Sequence, residues 1–157
     1  MTEEKKKEFT RRISQANTTD MVVVIYDIAL EYIENAKGAI EDNNKTALSE
    51  SVIHIRKCIN ELIGSLHYEY SPAGEMLQLY IFCSRQLVDV SARMDMDALV
   101  RIESILKRLR DAYAQIAPTN KSGAIMENSE SVYAGLTYGR NSLNESVIGA
   151  SNRGFLV

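Results

Sequence analysis

Apolar residues recur every three or four positions along most of this chain, and that spacing limits the folds it can adopt. One series runs through Leu48, Val52, Ile55, Ile59, Leu62 and Leu66. A second runs through Leu99, Ile102, Leu106, Leu109, Tyr113 and Ile116. Steps of three and four place side chains on one face of an α-helix, so both segments are predicted to be long amphipathic helices.

Three interruptions divide the periodic block between Asn17 and Ala117. They are Asn43-Asn44, Ser71-Pro72-Ala73-Gly74 and Met94-Asp95-Met96-Asp97, which are rich in residues that cap or break helices. Pro118 ends the block, because a proline cannot continue the helix before it. Short connections favour antiparallel neighbours. The predicted fold is all-α: an antiparallel up-down four-helix bundle at 17–117, a short N-terminal segment at 1–16 and a largely irregular tail at 118–157.

The first predicted helix is apolar over more of its surface than one core requires. It contains MVVVIY, which is rich in β-branched residues, but its apolar spacing continues to Ile40, so a helix is favoured over a strand. The core stripe is predicted at Ile25, Ala29, Tyr32, Ala36, Ala39 and Ile40. A second flank follows Val22, Tyr26, Leu30 and Ile33, and the two together cover roughly 220°, about twice the arc of a one-faced helix.

The third helix has a similar excess. Leu79 and Phe82 are predicted to point away from a core stripe at Leu77, Tyr80, Ser84, Leu87 and Ser91. Surplus apolar surface on two helices predicts a groove that something covers. This binding groove is assigned to Val22, Tyr26, Leu30, Ile33, Leu79 and Phe82. Its cover is either a partner chain or part of this chain, such as the N-terminal segment through Phe9 and Ile13.

The tail from Thr119 to Val157 is rich in Ser, Asn and Gly and contains a few aromatic residues. Two interpretations stay open for it. It is either a flexible extension with incidental aromatic residues, or it carries a linear motif that docks on another protein or on the bundle, where it would compete for the groove. The anchors of that motif would be Val132, Tyr133, Leu136 and Tyr138.

Residue chemistry gives no sign of catalysis. His54 and His67 are the only histidines, and neither belongs to a Glu-x-x-His pair of the kind that di-iron bundles use. The chain has no glycine-rich phosphate loop, nucleophile motif or Cys-x-x-Cys pair. No catalytic residue, metal ligand or cofactor is therefore predicted, and the chain is expected to be a binding protein rather than an enzyme.

Charge and hydropathy restrict the partners and the location. The net charge of −3 provides no basic surface for nucleic acid or an anionic membrane. No apolar run approaches the ~20 residues of a membrane helix, and the first residues lack the apolar region of a secretory signal. A cytoplasmic protein without membrane insertion is predicted, with Cys58 and Cys83 as small core residues.

Three stretches carry a resemblance to a known family. In the first, Ala16-Asn17 precedes an aliphatic run that ends in Ile25-Tyr26-Asp27; the second is INELIGSLHYE, and the third combines Leu79-Tyr80 with Arg85-Gln86-Leu87. They resemble the flagellar export chaperone family FliS, over Ile13 to Ile116. The family's usual Asn-Pro-Tyr start is missing, and Phe9 stands one place from the expected tyrosine.

The resemblance implies a cytosolic chaperone whose client is flagellin. In that family the disordered C-terminal region of flagellin folds into helices against apolar grooves, which prevents premature polymerisation. The complex then passes to a flagellar export-gate protein. The alternative is a structural or regulatory adaptor bundle with no flagellin client, whose apolar faces form a homodimer.

Overall fold

The computed structural model describes residues 1–69 and 71–124, and every regular element among them is helical. The predicted all-α class is therefore confirmed for this part of the chain. The predicted N-terminal segment is itself a helix, α1, which precedes the four predicted ones. The helices are α1 (Glu3–Gln15), α2 (Thr18–Glu41), α3 (Lys45–Gly64), α4 (Ala73–Arg93) and α5 (Met96–Ile116), and a short 3-10 turn (Ala117–Thr119) follows α5.

Polar side chains cap three of the four ring helices, one at the predicted start of the block and two at predicted interruptions. Asn17, Asn44 and Asp95 each accept a hydrogen bond from the backbone amide three residues later, at 2.9, 3.1 and 2.9 Å. These bonds satisfy amides that have no partner in the first helical turn. Helix α4 begins differently, because Pro72 before its first residue makes no side-chain cap.

Helices α2 to α5 form a ring in which α2 and α4 each pack against α3 and α5. Two ion pairs show that α2 and α5 are antiparallel: Lys37 near the end of α2 bonds Glu103, and Asp27 nearer its start bonds Arg110. Helix α1 packs on α2. Among the described helices, none combines the length and apolar character that a membrane span needs.

The core is a single apolar cluster to which all four ring helices contribute. All six residues predicted for the stripe at 48–66 are buried; five lie on α3, and Leu66 lies two residues beyond its end. On α5 the first three predicted residues are fully buried, whereas Ile116 is 53% exposed. The predicted stripe of α4 was partly right: Tyr80 and Leu87 are buried, whereas Leu77 and Ser84 are half-buried and Ser91 is exposed. The buried residues of α4 are Ala73, Met76, Tyr80, Cys83, Leu87 and Val90.

One buried carboxylate joins α2 to α5 at the edge of the core. Glu103 accepts hydrogen bonds from Lys37 at 2.7 Å and from Lys107 at 2.6 Å. Burial acts to raise the pKa of Glu103, but the bonds to the two lysines outweigh it and leave the pKa below its ordinary value. The side chain is therefore held as a paired carboxylate.

Candidate binding surface

Two large apolar side chains in the first half of α4 are exposed to solvent. Leu79 is 37% exposed and Phe82 is 40% exposed. They stand three positions apart, so they lie on neighbouring turns of one helix face. A phenylalanine and a leucine left open to water beside each other are a candidate contact surface.

The neighbouring face of α5 can be placed from one contact. The Arg101 guanidinium donates hydrogen bonds of 3.1 and 2.9 Å to Gln86 Oε1 on α4. The short connection at Met94-Asp95 makes α4 and α5 antiparallel. A residue a given number of positions before Gln86 on α4 therefore lies at the same level as the residue that many positions after Arg101 on α5.

This register shows which residues line the groove between the two helices. Phe82 lies four residues before Gln86, and Ile105 lies four residues after Arg101, so they are at about the same level. By the same rule, seven residues from the contact, Leu79 is level with Arg108. We call this surface the α4–α5 groove; its residues are Leu79, Phe82, Gln86, Arg101, Ile105 and Arg108.

The other predicted groove residues do not belong to this surface. Val22, Tyr26 and Ile33 of α2 are 7%, 0% and 0% exposed and lie in the core, and Leu30 is partly buried against it. The prediction that they line an open groove was wrong. The arc of α2 is wide enough for two phases, and the ring packs the face that contains Tyr26 inward, while Ile25, Tyr32 and Ile40 lie at the margin.

Tyr26 forms a polar contact inside the core. Its hydroxyl shares a hydrogen bond with the hydroxyl of Tyr80 on α4, and its ring centroid lies 5.8 Å from that of Tyr113. Burial raises the pKa of Tyr80 to about 12, and it raises the pKa of Tyr26 further, with the bond to Tyr80 as a second cause. Tyr26 therefore acts as a bridge between α2 and α4.

Helix α1 covers part of α2, and charged contacts hold it there. Asp27 accepts from Arg12 of α1 at 2.5 Å and from Arg110 of α5 at 2.9 Å. Lys5 pairs with Glu31 at 2.5 Å. The predicted covering residues Phe9 and Ile13 are half-buried, and no residue of α1 is fully buried. Their role as a cover for a binding groove stays a prediction.

A polar cleft of about 710 Å³ lies between α1, α2 and α3. The Tyr32 and His54 rings stack on its wall at 4.3 Å between centroids, and Glu31, Glu34 and Glu50 also line it. The sequence did not predict this cleft, because no short-range pattern links Tyr32 to His54. Its mixture of acids and amides gives no defined chemistry.

The thiols and acids of the described residues make no recognisable chemical site. Cys58 and Cys83 are free and buried, and burial raises their pKa values to about 11 and about 12. Within the ranges 1–69 and 71–124, no group of three or more His, Cys, Asp or Glu side chains could hold a metal ion.

The predicted tail motif at Val132, Tyr133, Leu136 and Tyr138 lies outside the described residues and stays a prediction. The α5 side of the groove was not predicted. Arg101 and Arg108 stand seven residues apart, which places them on one helix face, but sequence spacing does not say which neighbour that face meets.

Comparisons with known proteins identify the family. Residues 1–120 match the family model described as flagellar protein FliS. The flagellar secretion chaperone FliS of Bacillus subtilis (strain 168) is 25% identical over 103 residues, which cover 66% of this chain and 77% of that relative. The match to most of the chain shows that this protein belongs to the FliS family of flagellar proteins.

Proposed function

We propose that this protein is a cytoplasmic secretion chaperone that binds the C-terminal region of flagellin before export. The observation that carries the proposal is membership of the FliS family, together with a similar relative named as a flagellar secretion chaperone. The α4–α5 groove supports it physically, because Leu79 and Phe82 present apolar surface to solvent. The function is binding, without a catalytic step.

The mechanism follows from how an amphipathic segment meets such a groove. A disordered client region lays its apolar residues, at helical spacing, against Leu79 and Phe82 and folds as it binds. Ordering the client consumes part of the interaction free energy, so the net affinity is moderate. While it is bound, the client region cannot take part in polymerisation. The moderate affinity permits its release when the complex reaches a flagellar export-gate protein.

The test is a calorimetric titration of the full chain with the C-terminal region of the cognate flagellin. We expect binding with an increase in client helicity, which circular dichroism measures. Phe82→Asp should weaken binding by ~2 kcal/mol or more, the size of an interface hot spot. Ile53→Asp is the matched control, because Ile53 is 52% exposed on α3, away from the groove.

Two results would contradict the proposal. The first is no binding of any region of the cognate flagellin by the folded wild-type protein. The second is a stable homodimer that Phe82→Asp converts to a monomer, with no client bound in either state. That pair of observations would favour the adaptor bundle, whose dimer would bury the same apolar face. Light scattering after size-exclusion chromatography measures the mass.

A further inference from the structure

The rim of the α4–α5 groove carries positive charge beside its apolar residues. Arg108 is exposed and forms no ion pair within 4.0 Å with any described residue. The side chain of Arg101 bonds Gln86 and forms an ion pair with Asp95 at 3.9 Å, but it is 51% exposed. The groove thus presents two guanidinium groups that a ligand can reach.

Other cations around α2 are used differently. Arg12 and Arg110 both bond Asp27, Lys5 bonds Glu31, and Lys37 bonds Glu103. Each of these pairs joins one helix to another. Arg108 makes no such connection among the described residues, so its guanidinium group is available to a ligand.

The distance between the two arginines limits which ligands could bind both at once. Arg101 and Arg108 lie seven residues apart, which is about two turns or ~10 Å along α5. Between them lies Ile105, level with Phe82 across the groove. A ligand helix lying along the groove would meet apolar side chains in its middle and a guanidinium near each end of that stretch.

We infer that the groove binds an amphipathic client helix with carboxylates two turns apart, flanking apolar anchors at steps of three or four. The α5 side of the groove from Arg101 to Arg108 is ~10 Å long at 1.5 Å per residue, so the bound helix has at least two turns. Arginine suits this role, since its planar guanidinium binds a carboxylate through two parallel hydrogen bonds. This assignment rests on the proposed function and specifies the chemistry of the client segment.

The experiment measures binding of the C-terminal region of the cognate flagellin to the full chain at several NaCl concentrations. Arg108→Glu should weaken binding at low salt by roughly tenfold or more, because close charge pairs at interfaces couple strongly. The difference from wild type should shrink as salt rises. Arg56→Glu is the control. Arg56 is exposed on α3, so this substitution makes the same change of charge at a site away from the groove.

A charge reversal on the client completes the test. Replacing one client carboxylate with lysine should restore binding to Arg108→Glu while weakening binding to the wild type. Equal losses for Arg108→Glu and Arg56→Glu would show a general charge effect and overturn the inference. Unchanged binding by Arg108→Glu would also overturn it, although client binding by the wild type would leave the proposed function standing.

A fluorescent reporter shows whether the client or a segment of this chain occupies the groove. The chain has no tryptophan, so Phe82→Trp places a single reporter in the groove. Adding client should move its emission to shorter wavelength and reduce quenching by acrylamide. If the reporter is already protected without client, and Tyr133→Ser with Leu136→Ser exposes it, this chain's own segment occupies the groove and the inference is wrong.

Discussion

Tyr26 and Tyr80 place two hydroxyl groups inside an otherwise apolar core. A buried hydroxyl without a partner costs free energy, and these two satisfy each other across the bundle from α2 to α4. The bond acts between diagonal helices and therefore helps to fix their relative position. The sequence shows two tyrosines at apolar positions, but 54 residues separate them, and no spacing rule pairs them.

The pair should behave as a unit in a double-mutant cycle. Tyr26→Phe or Tyr80→Phe alone should lower the free energy of unfolding by ~1–3 kcal/mol, because the remaining hydroxyl loses its partner. The double variant should cost less than the sum of the two single changes. Urea unfolding followed by circular dichroism measures all four proteins. Strictly additive losses would mean that the hydroxyl groups do not interact.

At the scale of single elements, α3 and α2 show when apolar periodicity alone predicts which face of a helix is buried. Helix α3 has one narrow apolar stripe, and every residue predicted for it is buried. Helix α2 is apolar over a wide arc, so one phase through Ile25 and Tyr32 and another through Tyr26 and Ile33 both satisfy helical spacing. Ala29 and Ala36 of the predicted stripe also stand three residues after Tyr26 and Ile33, and both are buried. The neighbours of α2 select the phase.

The centres of the α3 and α5 stripes should be sensitive to truncation. Ile59 and Leu106 are both 0% exposed, so Ile59→Ala and Leu106→Ala should each destabilise the fold by ~2–5 kcal/mol through lost burial and a residual cavity. Ile53→Ala on the exposed side of α3 serves as the control and should change stability by less than ~0.5 kcal/mol. Chemical denaturation measures each value, and near-neutral core variants would contradict the assigned packing.

The attachment of α1 should depend on Asp27. This carboxylate bonds Arg12 of α1 and Arg110 of α5, so Asp27→Asn removes a charge that both guanidinium groups share. We expect faster amide hydrogen exchange across residues 3–15, with little change in α3 and α4. Asp111→Asn is the control, since exposed Asp111 pairs with Arg110 but not with α1. Unchanged exchange in α1 would show that its apolar contacts suffice.

The whole molecule should lose stability in alkaline solution because its core tyrosines resist ionisation. In the unfolded chain tyrosine ionises near pH ~10, whereas burial raises the pKa of Tyr80 to about 12 and that of Tyr26 further. Below pH ~10 both states are protonated, and the full stability is present. Above it only the unfolded state releases these protons, so stability falls as pH rises toward about 12.

Urea unfolding between pH 8 and pH 11.5 measures that loss. The double variant Tyr26→Phe and Tyr80→Phe should show a shallower decline than the wild type, because it lacks the two buried phenols. Parallel declines in the two proteins would assign the alkaline loss to other groups.

The sequence by itself determined the all-α class and the starts of α2, α3 and α5. Those features depend on neighbours within one or two turns: apolar steps of three and four, and caps that bond an amide three residues away. The periodic stripe of α3 also needed nothing more. Family membership was accessible as well, because its motifs are contiguous stretches.

Only the tertiary structure decided which apolar face of α2 is core and which surface remains open. Burying Tyr26 and Ile33 depends on α3, α4 and α5 together, and α2 alone permits two phases. The α4–α5 groove likewise needs an antiparallel register, which brings Arg108 level with Leu79 although 29 positions separate them in the chain. The spacing of residues along the chain predicts the faces of a single helix. A groove between two helices depends on how those helices pack together.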